Sequence, residues 1–178
     1  MNSPKGLLIF AMAILTGTRG SAAEDTAPQT MKPSVTLTSS DSQVKECGYH
    51  RVTSEDEWIK VWQRHKGAKE AKDYDLYFNP LNLPFIDFKT CMVIAIFQGD
   101  GTNSAGLKAV EVLEDKTSII FRFKDKFYQT FGGEGVGTKS VYGFFVLPRS
   151  TKTVILQEDV QHGIGKPPIW KERVRFPK

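Results

Sequence analysis

Cysteine and histidine are scarce in this 178-residue chain, with two and three copies. Zinc sites need three or four such ligands at characteristic spacings, and none of these residues has that spacing. His50, His65 and His162 stand in no Gly-x-Ser-x-Gly or His-Glu-x-x-His motif, and His65 falls on a helical stripe where a structural role is favoured. We therefore expect no metal, no cofactor and no enzymatic activity. A small hydrolase that uses His50 or His162 stays open as the alternative.

A hydrophobic run of membrane-spanning length, about 20 residues, is also missing. The apolar run from Leu7 to Leu15 has only nine residues. Lys5 precedes it and Ser21-Ala22-Ala23 follows it, which is the order of parts in a secretory signal peptide. We predict cleavage near Ala23, a periplasmic or secreted protein, and no membrane span after signal removal.

A strong charge excess is lacking once the signal is removed. The whole chain carries 24 cationic and 20 acidic residues, a formal charge of +4. Residues 1–23 hold two of the cations and no acid, which leaves 155 residues with a charge of +2. This small excess and the exported location argue against a nucleic-acid partner. A basic tail keeps an anionic glycan or lipid surface open as an alternative partner, and it consists of Lys166, Lys171, Arg173, Arg175 and Lys178.

The two cysteines, Cys47 and Cys91, have two readings. Exported proteins usually fold in an oxidising compartment, where such a pair can form a disulfide. Alternatively both stay reduced, and Cys91 is a small apolar residue of a strand. The sequence does not decide between them.

One segment, residues 54–67, has a clear helical pattern. Ser54 and Glu57 have the spacing of a capping box, and Gly67 is a typical helix end. Trp58, Val61, Trp62 and His65 share one face at helical spacing. We predict an amphipathic helix with two tryptophans that anchor it.

Strand patterns dominate the second half of the chain. Cys91 to Phe97 is continuously apolar, as expected for a strand buried on both faces. Two further strands are separated by the short turn 114–116, which suggests an antiparallel hairpin. The complete set of predicted strands after residue 90 is 91–97, 107–113, 117–125, 141–147, 154–157 and an edge strand at 170–176. We predict an α+β fold, in which one N-terminal helix packs on a mostly antiparallel sheet of five or more strands.

The chain divides into three parts in this prediction. Residues 1–23 are the signal, and residues 24–45, rich in Ser, Thr and Pro, form a flexible linker. Within this linker, Val35 to Leu37 has the composition of a short edge strand. Residues 46–178 form a single domain, with a long connection at 68–90.

Two loops, 98–106 and 126–140, are the predicted partner-binding surface because Gly-rich loops often carry recognition. Asp100 to Ser104 slightly resembles a calcium loop but lacks the further acids, so a turn is favoured. A plain flexible loop is the competing interpretation for 126–140. The candidate contact residues are Asp100, Thr102, Asn103, Ser104, Phe127, Tyr128, Phe131 and Glu134.

The order of features from residue 51 to about 159 resembles the C-terminal domain family of the protease-complex subunit PrcB. The pieces that carry the resemblance are the helix start Ser54 to Trp58, the strand Met92 to Gly99, and the strand end Val146 to Ser150. The resemblance implies an exported, non-catalytic bacterial domain that supports a protease complex, with no catalytic residues to carry over. The chain departs from the family at Ala105-Gly106-Leu107, where a Gly-Gly-Tyr element is usual, and in its insert at 126–140.

Overall fold

The computed structural model describes residues 27–68, 81–100, 103–128, 140–161, 163 and 165–178. The predicted signal peptide therefore lies outside the described residues. The described part contains one helix, α1 (Glu55–Lys66), and a larger number of strands. The strands are β1 (Gln29–Met31), β2 (Val35–Ser39), β3 (Gly48–Val52), β4 (Cys91–Gly99), β5 (Ser104–Glu114), β6 (Ser118–Phe127), β7 (Val141–Pro148), β8 (Thr153–Asp159) and β9 (Trp170–Phe176).

The prediction of an α+β fold with a helix packed on one sheet is wrong. Of the described residues, 54% are in strands and 10% in the helix, and the strands form two sheets. Sheet A has five strands in the order β1-β5-β6-β8-β9, and sheet B has four in the order β2-β7-β4-β3. The sequence pattern locates single strands, but it contains no signal that assigns consecutive strands to different sheets.

The connection through β7 explains the one parallel pair. β6 and β8 lie side by side and parallel in sheet A, whereas the chain between them forms β7 of sheet B. A parallel pair needs a crossover that returns the chain to its starting end. Here β7, a strand of the opposite sheet, lies within that crossover.

β4 shows why the central apolar run has no polar face. Met92, Ile94 and Ile96 point into the core between the two sheets. Val93, Ala95 and Phe97 point to the other face of sheet B, where side chains of α1 cover them. The prediction that this strand is buried on both faces is confirmed.

The predicted ends of α1 are confirmed. The Glu57 backbone N–H donates to the Ser54 hydroxyl at 3.4 Å, and the Thr53 N–H donates to the Glu57 carboxylate at 2.7 Å. Gly67 closes the helix at a positive φ of 71°. The tryptophan indoles of α1 donate to carbonyls of the segment that follows, Trp58 to Pro84 at 2.9 Å and Trp62 to Leu81 at 2.8 Å. Both anchor rings therefore satisfy their polar atom inside a mostly apolar layer.

The described part of the predicted linker, from residue 27 onward, belongs to the sheets. β1 pairs with β5 and β2 pairs with β7. The Thr38 hydroxyl donates to the Tyr142 carbonyl at 3.0 Å and accepts from the Leu107 N–H at 2.5 Å, which joins sheet B to sheet A. The short edge strand predicted at Val35 to Leu37 is confirmed as part of β2, but the flexible linker is wrong over β1 and β2. Threonine, which is β-branched, is favoured in strands, and three of the eight residues of β1 and β2 are threonines.

Candidate functional site

The roots of the two predicted partner-binding loops meet at one end of the sheets, here called the loop end. The Tyr128 N–H donates to the Asn103 carbonyl at 3.1 Å, and Ser104 pairs with Phe127 in the β5–β6 ladder. Asp100 lies beside them at the end of β4. Five of the eight candidate contact residues are therefore brought together. The other three, Thr102, Phe131 and Glu134, lie outside the described residues.

Two of these five residues are held by partners within the fold. Ser104 is fully buried, and its hydroxyl donates to the Gly106 carbonyl at 2.8 Å. The Asp100 carboxylate accepts from the Ser140 hydroxyl and lies 3.3 Å from the Lys45 ammonium. These partners, Ser140 first, hold the pKa of Asp100 below its usual range. Asp100 thus links the end of β4 to Ser140 and Lys45 through one carboxylate oxygen.

The aromatic side chains at the loop end remain exposed. Phe127 is 52% exposed and Tyr128 is 38% exposed. Their backbone is fixed by the β5–β6 pairing and by the bond to Asn103. Large aromatic side chains on a rigid backbone lose little entropy when a partner covers them. Of the predicted contact residues described, these two are the best suited to touch another protein.

The two described histidines lie beside aromatic rings. His65 is 1% exposed, and its ring centre is 4.2 Å from that of Tyr142 and 5.3 Å from that of Phe144. Burial, and then the charge of Lys66, lowers the pKa of His65 to about 4. Nε2 of His50 and both ring nitrogens of His65 have no hydrogen-bond partner among the described residues. His162, the other candidate base, lies outside the described residues.

Both cysteines are free in this structure. Cys47 precedes Gly48, which pairs with Phe97, and Cys91 lies at the far end of the same β3–β4 ladder. That separation is about 20 Å at the rise of a strand, whereas a disulfide needs Cα atoms within about 7 Å. The disulfide that the sequence left open is not formed. The Cys47 thiol instead lies 3.4 Å from the Tyr49 hydroxyl.

Ion pairs engage two of the five residues of the predicted basic tail. Arg173 pairs with the buried Glu158, and Arg175 pairs with Glu172 at 2.9 Å. On β6 of the same sheet, Arg122 pairs with Glu111 at 2.8 Å. Charges already matched within the fold attract an anionic surface weakly. This pairing weakens the case for an anionic glycan or lipid at the tail.

A groove that sequence reasoning missed lies between α1 and β3, and we call it the α1–β3 groove. Its volume is about 460 Å³, within the range of ligand-binding clefts. Val52, Val61 and Phe176 supply its apolar part. The other lining residues are Tyr49, His50, Arg51, Glu57, Lys60 and Arg64. No local signal in residues 48–52 predicts it, because Tyr49, His50 and Arg51 give no apolar alternation.

Two arginines close the groove's far end by binding carbonyls. Arg51 donates to the carbonyls of Lys152 at 3.0 Å and Pro177 at 3.2 Å, and also to that of Ser150. Arg149 donates to the Thr53 carbonyl at 2.9 Å. Burial, and then the charge of Arg149, lowers the pKa of Arg51. These contacts fix β3 against the β7–β8 turn and the end of β9.

Comparison with protein-family models, with curated proteins and with solved structures gave no match. The resemblance to the PrcB C-terminal domain family, carried by Ser54 to Trp58, Met92 to Gly99 and Val146 to Ser150, therefore stays a prediction.

Proposed function

We propose that the chain is an exported, non-catalytic domain that binds another protein through the loop end. The observation that carries the proposal is the pair of exposed aromatic residues, Phe127 and Tyr128, on hydrogen-bonded loop roots. Tyrosine and phenylalanine are enriched in protein interfaces, where they bury much area for few rotatable bonds. The partner that the resemblance implies is a subunit of a protease complex.

Different observations support export and the proposed lack of a membrane span. The charged, apolar and small-residue segments of residues 1–23 support a cleaved signal peptide. Among the described residues, α1 is too short and too polar to cross a bilayer, and no other helix occurs. An intact mass that corresponds to residues 24–178 in the exported fraction would support the proposal. A full-length chain confined to the cytoplasm would contradict it.

Site-specific photo-crosslinking tests the loop end as the contact surface. A photoreactive phenylalanine analogue replaces Tyr128, and a matched control carries it at Val35, which is 45% exposed at the opposite end of sheet B. We expect a discrete crosslinked protein from the Tyr128 position and none from Val35. No product at Tyr128, or the same products from both positions, would reject the loop end.

A further inference from the structure

The outer edge of β3 is open in the described part of the chain. β3 is the last strand of sheet B and pairs only with β4 there. Alternate residues of an edge strand direct their backbone N–H and C=O groups away from the sheet, where another strand can pair with them. The α1–β3 groove runs along this edge, so an added strand would have a wall of side chains beside it.

Buried polar atoms of the groove lack partners. Nε2 of His50 and Nε of Arg51 are both buried without a hydrogen-bond partner among the described residues. Burial, and then the charge of Arg64, lowers the pKa of His50, so its ring is neutral near pH 7 and can accept a hydrogen bond. Buried polar atoms without a hydrogen-bond partner destabilise a fold. A polar occupant of the groove would remove part of that cost.

The charge of the groove wall is positive. Glu57 is committed to the helix start, where it accepts the Thr53 N–H. Lys60 and Arg64 are exposed and form no ion pair with any described residue. They are four residues apart on α1, a rise of about 6 Å. Alternate residues of an extended strand are about 6.5 Å apart and point to the same side.

We propose that the α1–β3 groove binds an extended acidic segment of a partner protein, which adds to sheet B along β3. Two acidic side chains at alternate positions pair with Lys60 and Arg64, and the apolar side chains between them point to the opposite side, toward Phe176. The added strand supplies backbone partners for the open edge, which is the usual source of affinity in strand addition. This site lies on a different surface from the loop end, and the two proposals are tested independently.

Fluorescence anisotropy with short labelled peptides tests the proposal. The probe is Thr-Glu-Val-Glu-Val-Thr, and its controls are Thr-Gln-Val-Gln-Val-Thr and the permuted Thr-Glu-Glu-Val-Val-Thr. We expect both controls to bind about three- to tenfold more weakly, the effect of two exposed ion pairs. The double variant K60Q/R64Q should lose the preference for glutamate by the same factor. The matched variant K171Q/K178Q, which removes two basic residues of the tail, should keep it.

Amide hydrogen exchange reads the strand addition directly. The probe peptide should slow exchange of backbone amides in Gly48–Val52 of the wild-type chain and leave those of β2, the other edge of sheet B, unchanged. Circular dichroism checks that K60Q/R64Q is folded, and the wild-type exchange result stands even if that variant is not. Absence of binding, unchanged binding to K60Q/R64Q, or protection outside β3 would overturn the proposal. A dimer whose β3 amides are protected without peptide would also overturn it. So would binding to phosphatidylglycerol vesicles that is lost in K60Q/R64Q, if the same chain does not bind the probe peptide.

Discussion

His65 makes the stability of the fold depend on pH in a direction that can be worked out from its surroundings. Its ring lies among Trp62, Tyr142 and Phe144, and both nitrogens are without a partner in the described chain. The charged groups that act on it are Lys66, which disfavours protonation, and Asp41, which favours it; burial is the largest influence. The folded chain therefore holds this imidazole in its neutral form.

The sign and size of the effect follow from linkage. The pKa of His65 is about 4 in the folded chain, against an ordinary value of 6.5. The native state therefore keeps its full stability above pH 6.5 and loses stability as pH falls from 6.5 through 4. The pKa difference corresponds to at most about 3 kcal/mol. Because local opening admits some water, we expect a loss of about 2 kcal/mol between pH 7 and pH 4.5.

The replacement His65→Leu isolates this contribution. Leucine is apolar, close in volume, and leaves no unpaired nitrogen, so at pH 7 stability should change by less than about 1.5 kcal/mol. At pH 4.5 the variant should retain about 2 kcal/mol more of its neutral-pH stability than the wild type does. Urea unfolding followed by far-ultraviolet circular dichroism measures the stability at both pH values. This signal does not depend on the fluorescence of Trp62, whose quenching could change with the residue at position 65. His50→Leu is the control, with a smaller effect because His50 is only half-buried. An equal acid loss in wild type and His65→Leu would refute the reasoning.

Three further predictions concern stability and thiol chemistry. Gly106→Ala should cost about 2–4 kcal/mol in thermal unfolding, because φ is 132° and a Cβ there would lie 2.4 Å from a Thr hydroxyl of β2. Gly165→Ala, also at positive φ but with open space around it, should cost only about 1 kcal/mol, and equal costs would contradict the packing argument. Arg51→Met should lower stability by about 2–3 kcal/mol by removing three charge-assisted bonds to carbonyls, and an unchanged melting temperature would count against that role. Alkylation without reductant should add two labels, and Cys47 should react faster than the half-buried Cys91. A chain that takes no label and has a mass two hydrogens lower would instead contain a disulfide.

Local signals predicted the elements well. Ser54, Glu57 and Gly67 defined both ends of α1, because capping depends on residues within one turn of the helix end. The apolar runs of β4 and β7 predicted buried strands, because both faces of sheet B are covered. β3 was missed, since its central residues are polar, and Arg51 is half-buried through contacts with distant segments.

Pairing between distant strands was beyond local patterns. No residue of β6 indicates that its second neighbour is β8 rather than β7, because that choice depends on the packing of two whole sheets. The candidate site was predicted only in part, because its side-chain contacts also join distant segments. Both predicted loops lie between strands, although β4 and β5 extend into residues 98–106. Asp100 and Ser104 bind Ser140 and Gly106, which the sequence alone could not foresee.

β2 pairs with a strand, β7, that is synthesised much later. The backbone of Ser34, just before β2, bonds to that of Val146, which is 112 residues further along the chain. Contacts of such long range slow folding, since a large loop must close before they form. The Thr-rich strand β2 is synthesised or translocated before β7. Its edge therefore stays unpaired until β7 emerges. A holding chaperone would therefore act on this chain chiefly in the interval between those two strands.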